Sequence, residues 1–458
     1  MAELSRIVKA YDVRGTVPDE FDTAAACALG QAFVETLRER GDDADRIVIA
    51  HDMRESGPAL AESFAAGAIA AGAQVVHAGL GSTDLLYYAS GVLGLPGAMF
   101  TASHNPAQYN GIKMCKAGAK PIGQDSGLSQ IRDRAQQLLD DGLTPVGEVP
   151  VERRDLLADY AAHLRSLVDL SGIRPLKVVV DAGNGMGGHT VPAVLGDTVL
   201  AGLPLEIVPL YFELDGSFPN HEANPLEPAN LVDLQAAVVE HGADIGLAFD
   251  GDADRCFVID EKGAPVSPSA ITALVAVREL AKHPGGVIIH NLITSTAVPE
   301  IVVEHGGKPV RTRVGHSFIK AEMAKTDAVF GGEHSAHYYF RDFWGADTGM
   351  LAAMHVLAAL GEQDRPLSEL GAAYERYVAS GEINSTVSDA AAKTAEVRAA
   401  FAGTPTDELD GLTITFSDGA WINLRPSNTE PLLRLNVEAP TAERMAQLRD
   451  DVLAIVRG

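Results

Sequence analysis

The stretch that decides the fold runs from Arg46 to Gly79. It reads RIVIAHD (46–52), a helical segment from Pro58 to Ala71, and then AQVVHAG (73–79). Two short β-branched runs flank one Ala-rich helix, which marks a βαβ unit. The pattern returns as LKVVVDAGNG (176–185), a helix, and LEIVPLY (205–211). It returns again as GGVIIHN (285–291), a helix through Val298–Glu304, and KPVRTRVG (308–315). Three such units predict three similar α/β domains with mixed or largely parallel sheets. The likeness is one of architecture, not of residues. The C-terminal part reads differently: a helix, the strands LTITF (412–416), AWINLRP (420–426) and LLRLNVEA (432–439), and a closing helix. That predicts a smaller α+β domain.

The expected domains are 1–150, 151–260, 261–368 and 369–458, arranged around a central cleft. Turn-rich stretches at Asp140–Val149, Glu261–Ser269 and Gly361–Leu367 suggest the boundaries. A chain of 458 residues is too long for one core, so several domains are required.

The net charge is 36 − 62 = −26, which opposes a nucleic-acid partner because a phosphate backbone needs a basic face. A small anion remains possible, since local cations can reverse the field inside a cleft. Cys27, Cys115 and Cys256 show neither metal nor disulfide spacing and read as small apolar residues in a reducing compartment. The N-terminal residues show no signal-peptide core, and no run is long enough for a membrane span. A cytoplasmic protein with no membrane partner is expected. The sequence does not choose between monomer and dimer.

Four motifs can carry chemistry. FTASHNP (100–106) follows the short strand GAMF and ends in Asn-Pro, so the loop presents Ser103 and His104 at its tip. A hydroxyl on an exposed loop beside a histidine can act as a nucleophile if a base or metal activates it, but a plain turn fits as well. It is not a GxSxG elbow. DGDADR (250–255) places Asp250, Asp252 and Asp254 between two strands. In a strand they would share a face; in a loop they can converge on one Mg²⁺ or Ca²⁺. An EF-hand loop is opposed by Arg255 at its glycine position and by flanking strands. Arg255 makes more sense if a phosphate also enters, because a guanidinium binds phosphate in two-pronged fashion.

GEHSAHYYF (332–340) has Glu333, Ser335 and His337 at alternate positions. If extended, all three face one way and can read sugar hydroxyls. The competing reading is an edge strand with a polar outer face. RPSNTEP (425–431) offers Arg425, Ser427, Asn428 and Thr429 in a turn, an anion nest with a charged anchor. Three weaker stretches are KAYDVRG (9–15, with Tyr11 and Arg14), NGIKM (110–114, with Lys113) and RTRVGHSFIK (311–320, with His316). The G-x-G-x-x-G at Gly183–Gly188 reads as a tight β–α turn, since its acidic neighbours are badly placed for a dinucleotide.

TASHNP, DGDADR, GEHSAH and RPSNTEP, in this order and one per expected domain, resemble the four signature loops of the α-D-phosphohexomutase family. The likeness spans essentially the whole chain, and the GEHSAHYYF loop is most like those of phosphomannomutases and dual-specificity phosphomannomutase/phosphoglucomutases. The resemblance implies a reversible isomerase, an intramolecular phosphotransferase that interconverts hexose 6-phosphate and hexose 1-phosphate of mannose and glucose. It implies Mg²⁺ as metal and a hexose 1,6-bisphosphate as intermediate and activator.

By the same resemblance, Ser103 is the phosphoserine, and Asp250, Asp252 and Asp254 bind the metal together with an oxygen of that phosphate. Lys113 and Arg14 are acid/base candidates, with Tyr11 and His104 nearby and Arg255 at the reacting region. A buried Lys113 tuned towards neutrality could take and return the sugar hydroxyl proton. Glu333 and Ser335 read sugar hydroxyls, and His316 and His337 line the cleft. Arg425, Ser427, Asn428 and Thr429 hold the non-reacting phosphate. One departure is the region His290–Thr296 (HNLITST), which lacks the lysine that some dual-specificity members use there. The alternatives are a phosphoglucosamine mutase and a non-catalytic Ca²⁺- or phosphosugar-binding protein.

Overall fold

The computed structural model describes residues 3–9, 11–143, 151–426 and 432–458, with the backbone alone at 316 and 317. Four sheets follow one another along the chain. The first three share a four-strand heart. Its first strand (Arg46–His51, Leu176–Asp181 or Val287–Asn291) lies between two parallel neighbours. One is the strand that follows through a helix: Gln74–Leu80, Leu205–Leu210 or Lys308–Thr312. The other is a third strand: Gly97–Phe100, Ile245–Phe249 or Phe330–Gly332. The third strand then turns back into an antiparallel fourth: Tyr109–Lys116, Cys256–Asp260 or Tyr338–Phe340.

These are the three units that the β-branched runs predict. Their helices span Gly57–Ala70, Gly187–Val194 and Ala297–Glu304. The middles of the central strands are apolar because both sheet faces are covered; Ile245–Phe249 is buried at every position. The fourth sheet is wholly antiparallel and is built around Leu432–Ala439.

The repeat also places the motifs. In all three α/β sheets, the turn from the third strand to the fourth carries one: residues 101–108, 250–255 and 333–337. In the fourth sheet the corresponding hairpin joins Trp421–Pro426 to Leu432–Ala439. The motif residues Ser427, Asn428 and Thr429 lie outside the described residues. The G-x-G-x-x-G stretch is the turn from Leu176–Asp181 into Gly187–Val194, as a tight β–α connection requires.

One large core runs through the first three sheets and wraps the helix Gly349–Gly361, which is buried on nearly every side. The fourth sheet has its own smaller core, and Trp421 packs on Leu292 and Ile293 from the third. Among the described residues no helix is long and apolar enough to cross a membrane. Cys27 is half-buried, Cys115 and Cys256 are buried, and all three are free thiols.

Asp84 joins the first three α/β units. It sits in the first turn of Thr83–Leu93, where Ser82 donates to it, as do the Tyr160 hydroxyl at 2.6 Å and the Thr348 hydroxyl at 2.7 Å. Burial pushes its carboxyl up to about 6, against the pull of those hydrogen bonds. The folded pKa lies above the ordinary 3.8, so between about pH 4 and 6 the folded protein holds a proton that the unfolded chain has lost. Stability from this group therefore falls as pH rises through that window, by about 3 kcal/mol in all. Asp84→Asn should remove this decline. Urea unfolding of both proteins across the window checks it, and an unchanged decline in the variant would refute it.

Candidate active site

The serine loop starts from Phe100 at the end of a buried strand and returns at Tyr109. Ser103 adopts φ +51°, and its residue is only 3% exposed. This corrects the expectation of an exposed loop tip: the second sheet's acidic loop packs over the serine. The close approach depends on glycine, since a Cβ at Gly251 would come within 2.4 Å of the Ser103 carbonyl oxygen. On the other side of that loop the Met186 N–H donates to the Gly251 carbonyl at 2.9 Å. A Cβ at Gly185 would come within 2.7 Å of the same oxygen. The glycine-rich turn thus supports the acidic loop.

The Ser103 hydroxyl donates to Asp250 Oδ2 at 2.9 Å, across 147 residues of chain. Arg255 Nη2 lies 3.4 Å from Ser103 Oγ and 2.7 Å from Asp250 Oδ2. His104 Nδ1 is 3.2 Å from Ser103 Oγ and is also met by Arg255 Nη2. Burial and then the charges of Arg255, Arg14 and Lys113 push His104 well below the usual range, so it is neutral. Because Arg255 can only donate, Nδ1 accepts and the ring proton sits on Nε2. Arg14 binds Asp12 through Nε at 2.7 Å and donates through Nη1 to the Asn105 side chain at 2.6 Å. Tyr11 lies edge-on to Phe318, with ring centres 6.2 Å apart.

DGDADR forms a loop with Ala253 at φ +59°, which resolves the choice between a shared strand face and convergence in favour of convergence. One oxygen from each of Asp250, Asp252 and Asp254 falls within 4.8 Å of the others, and all three residues are buried. Lys113 Nζ reaches Asp252 Oδ2 at 2.6 Å and Asp254 Oδ2 at 2.5 Å. Asp252 Oδ1 and Asp254 Oδ1 are buried without a hydrogen-bond partner. Unpaired buried carboxylate oxygens are costly unless a cation meets them, so the cluster fits a hard divalent ion.

Burial drives Asp250 up to about 6; Arg255 pulls it down, while Asp254 and Asp252 push it further up. For Asp254, burial is outweighed by Lys113 and His337, which hold it well below the usual carboxylate range. Lys113 departs from the expectation of a lysine near neutrality. Burial disfavours its charge, but Asp252 and Asp254 more than compensate and raise its pKa.

The third motif is a turn, with Ala336 at φ +62°, so the alternating-face reading of an extended strand is corrected. Glu333 is buried and accepts from the Tyr339 hydroxyl at 2.7 Å and from Asn291 at 3.2 Å. Ser335 lies 3.3 Å from His337 Nδ1, and His337 Nε2 lies 3.5 Å from Asp254 Oδ1. Burial lowers the His337 pKa, but the Asp254 contact wins and raises it. His316 opens the helix His316–Thr326; its side chain lies outside the described residues. Arg425 lies 3.3 Å from Glu382 and 3.6 Å from Asp410. Ser103, His104, Arg14, Lys113, Arg255, the three aspartates and His337 therefore form one connected cluster, which reaches Glu333 and Ser335 through the third turn.

Sequence reasoning missed Thr83, Asp347 and Lys320. The Thr83 hydroxyl donates to Asp252 Oδ2 at 2.5 Å and its N–H donates to the Asp252 carbonyl at 3.1 Å. Asp347 Oδ2 stands 4.0 Å from His337 Nε2, and its Oδ1 pairs with buried Lys320 at 2.6 Å. Lys320 also lies over the Tyr87 ring at 4.1 Å. Thr83 and Asp347 sit in no recognisable motif, and Lys320 only ends the weak stretch 311–320. Thr83 reaches Asp252 across two units, whereas Asp347 and Lys320 reach the third turn through the folding of their own unit.

The chain matches four phosphoglucomutase/phosphomannomutase domain families in order. These are alpha/beta/alpha domain I at residues 5–140, domain II at 158–263, domain III at 267–377 and the C-terminal domain at 382–455. It is 42% identical to a protein of Xanthomonas campestris pv. campestris described as phosphohexose mutases, covering 98% of this chain and 99% of that one. It is 39% identical to an Escherichia coli phosphomannomutase, covering 98% of each. A solved phosphoglucomutase/phosphomannomutase family protein of Burkholderia thailandensis superposes with a TM-score of 0.86 at 33% identity, covering 100% of this chain and 98% of that one. With four matched domains in sequence and full-length relatives at this identity, the chain belongs to the α-D-phosphohexomutase family, an isomerase-type phosphotransferase family.

Proposed function

We propose that this enzyme is a phosphomannomutase that also acts on glucose phosphates and that uses Ser103 as its phosphoryl carrier. The observation that carries the reading is the Ser103 hydroxyl, buried 2.9 Å from Asp250 in a cluster of three convergent carboxylates and the cations Lys113 and Arg255. Asp250, Asp252 and Asp254 would hold Mg²⁺, which when bound offsets the charge on a transferring phosphoryl group.

Phosphoryl transfer depends mainly on positioning and charge neutralisation. In the forward step the bond from phosphorus to Ser103 Oγ breaks and a bond to the free sugar hydroxyl forms. The sugar hydroxyl loses a proton and Ser103 Oγ gains one, while Lys113 and Arg14 stay charged and offset the negative charge that passes between the two oxygens. The product is a hexose 1,6-bisphosphate. After it turns over, its other phosphate faces Ser103 and the same chemistry runs backwards. Glu333 and Ser335 would read hydroxyls, His316, His337 and Tyr11 would line the cleft, and Arg255 and neutral His104 would hold the reacting oxygen. Arg425 would exchange its carboxylate partners for the non-reacting phosphate, alongside Ser427, Asn428 and Thr429. Charged sugar phosphates do not cross membranes unaided, which fits a cytoplasmic enzyme.

A coupled assay with Mg²⁺ and a hexose bisphosphate activator tests the assignment. Mannose 1-phosphate should turn over, and glucose 1-phosphate should turn over at a comparable order of magnitude. Turnover of glucosamine 1-phosphate without mannose 1-phosphate would replace this reading by a phosphoglucosamine mutase.

A further inference from the structure

We propose that Arg54 is a positioning residue for phosphoryl transfer: its guanidinium gathers the backbone of the serine loop and sets where Ser103 stands. The inference rests on the reading of Ser103 as the carrier. Arg54 is outside every motif and does not touch the Ser103 hydroxyl. It follows the strand Arg46–His51, whose last residue pairs with Phe100, so it emerges beside the start of the loop. The Asp52 N–H donates to the Phe100 carbonyl at 3.0 Å, and Asp52 Oδ2 lies 3.4 Å from Arg54 Nε.

The two Arg54 terminal nitrogens donate to four loop carbonyls. Nη1 reaches Pro106 at 3.0 Å and Tyr109 at 2.8 Å; Nη2 reaches Ser103 at 2.9 Å and Asn105 at 2.6 Å. The residue is 2% exposed, and the Phe218 ring covers it with its centre 5.2 Å from Cζ. No ammonium can reproduce this set, because a lysine head has three donors and no planar fork.

The consequence falls on Ser103. Its carbonyl oxygen is held by Arg54 on one side, while the Gly251 backbone on the other leaves no room for even a Cβ. With the carbonyl pinned and φ at +51°, the side chain projects towards Asp250. Arg14 braces the same loop through the Asn105 side chain. A misplacement of about 1 Å at a reacting atom can cost roughly 10²-fold in rate. Arg54 therefore acts on the transfer step through the serine loop, not on sugar binding.

The test compares Arg54→Lys, Arg54→Gly and Ser103→Ala in the full chain with Mg²⁺ and mannose 1-phosphate. Arg54→Lys should fold with a wild-type circular dichroism spectrum and lose about 10²-fold in kcat, with KM within about threefold of wild type. Guanidinium ion at millimolar concentration should restore part of the kcat of Arg54→Gly and none of that of Ser103→Ala. If Arg54→Lys fails to fold, Phe218→Ala, which only uncovers the guanidinium, should still lower kcat severalfold at unchanged KM. Wild-type kcat in folded Arg54→Lys overturns the proposal, as does a loss that appears in KM. Lack of guanidinium rescue in folded Arg54→Gly also overturns it. Full turnover by Ser103→Ala would instead overturn the carrier reading on which the proposal rests.

Discussion

Ser103→Ala will lower turnover of mannose 1-phosphate by about 10⁴-fold or more, because a covalent carrier has no substitute once its oxygen is gone. The neighbouring groups cannot take over. His104 has its Nδ1 occupied by Arg255, and Asp250 is paired with the same guanidinium. Ser103 also sits at φ +51°, a region that costs a residue with a Cβ about 1–2 kcal/mol. Ser103→Gly should therefore be equally inactive yet about as stable as Ser103→Ala or more so, despite glycine's larger unfolded-state entropy. Intact mass supplies a second readout: protein isolated after incubation with a hexose bisphosphate should carry one phosphate, absent from both variants. Substantial turnover by either variant would end the assignment of Ser103.

Lys113→Met will strike both stability and rate. Lys113 is the partner of Asp252 and Asp254, whose other oxygens lack a hydrogen-bond partner in the interior, with His337 at 3.5 Å from that of Asp254. Removing one partner of a buried ion pair typically costs about 3–5 kcal/mol, and here two carboxylates lose the same cation. In chelator, the urea midpoint of the variant should fall accordingly. Mg²⁺ should then stabilise the variant more than the wild type, because a bound cation replaces the missing charge and binding only to the folded state adds stability. The rate should fall by about 10²–10³-fold, the usual worth of one preorganised charged group beside developing charge. Equal stability of variant and wild type in chelator would refute the account of Lys113 as counter-charge.

Much of the fold and of the site is legible in the amino-acid sequence. The centres of the runs at 46–52, 176–185 and 285–291 are apolar because a strand covered on both faces must be, and local patterning reports that. The four motifs can be found because each is a short contiguous set of unusual residue types. Their local shapes are harder to read. Alternation in GEHSAH suggests a strand, but Ala336 turns left-handed and the segment becomes a turn, with Glu333 drawn onto Asn291 and Tyr339. The Ser103 loop carries polar residues and a proline, the marks of a surface turn, yet its first part, through Ser103, is buried because another unit closes over it, while Pro106 to Gln108 stay exposed.

The sequence by itself determined the α/β repeat, the four chemical loops and their order. Those rest on local patterning and on residue chemistry, which a linear string records. Only the tertiary structure decided that the first three loops occupy the same turn, from third strand to fourth, in the three α/β sheets. It also placed Asp250 2.9 Å from a serine 147 residues away, made Lys113 a neutraliser of two aspartates, and recruited Thr83, Asp347 and Arg54. The physical reason is that contacts between residues far apart in the chain depend on how strands pair within a sheet and how whole sheets pack. A lone Thr, Asp or Arg carries no local signal of the partner it will meet across that packing.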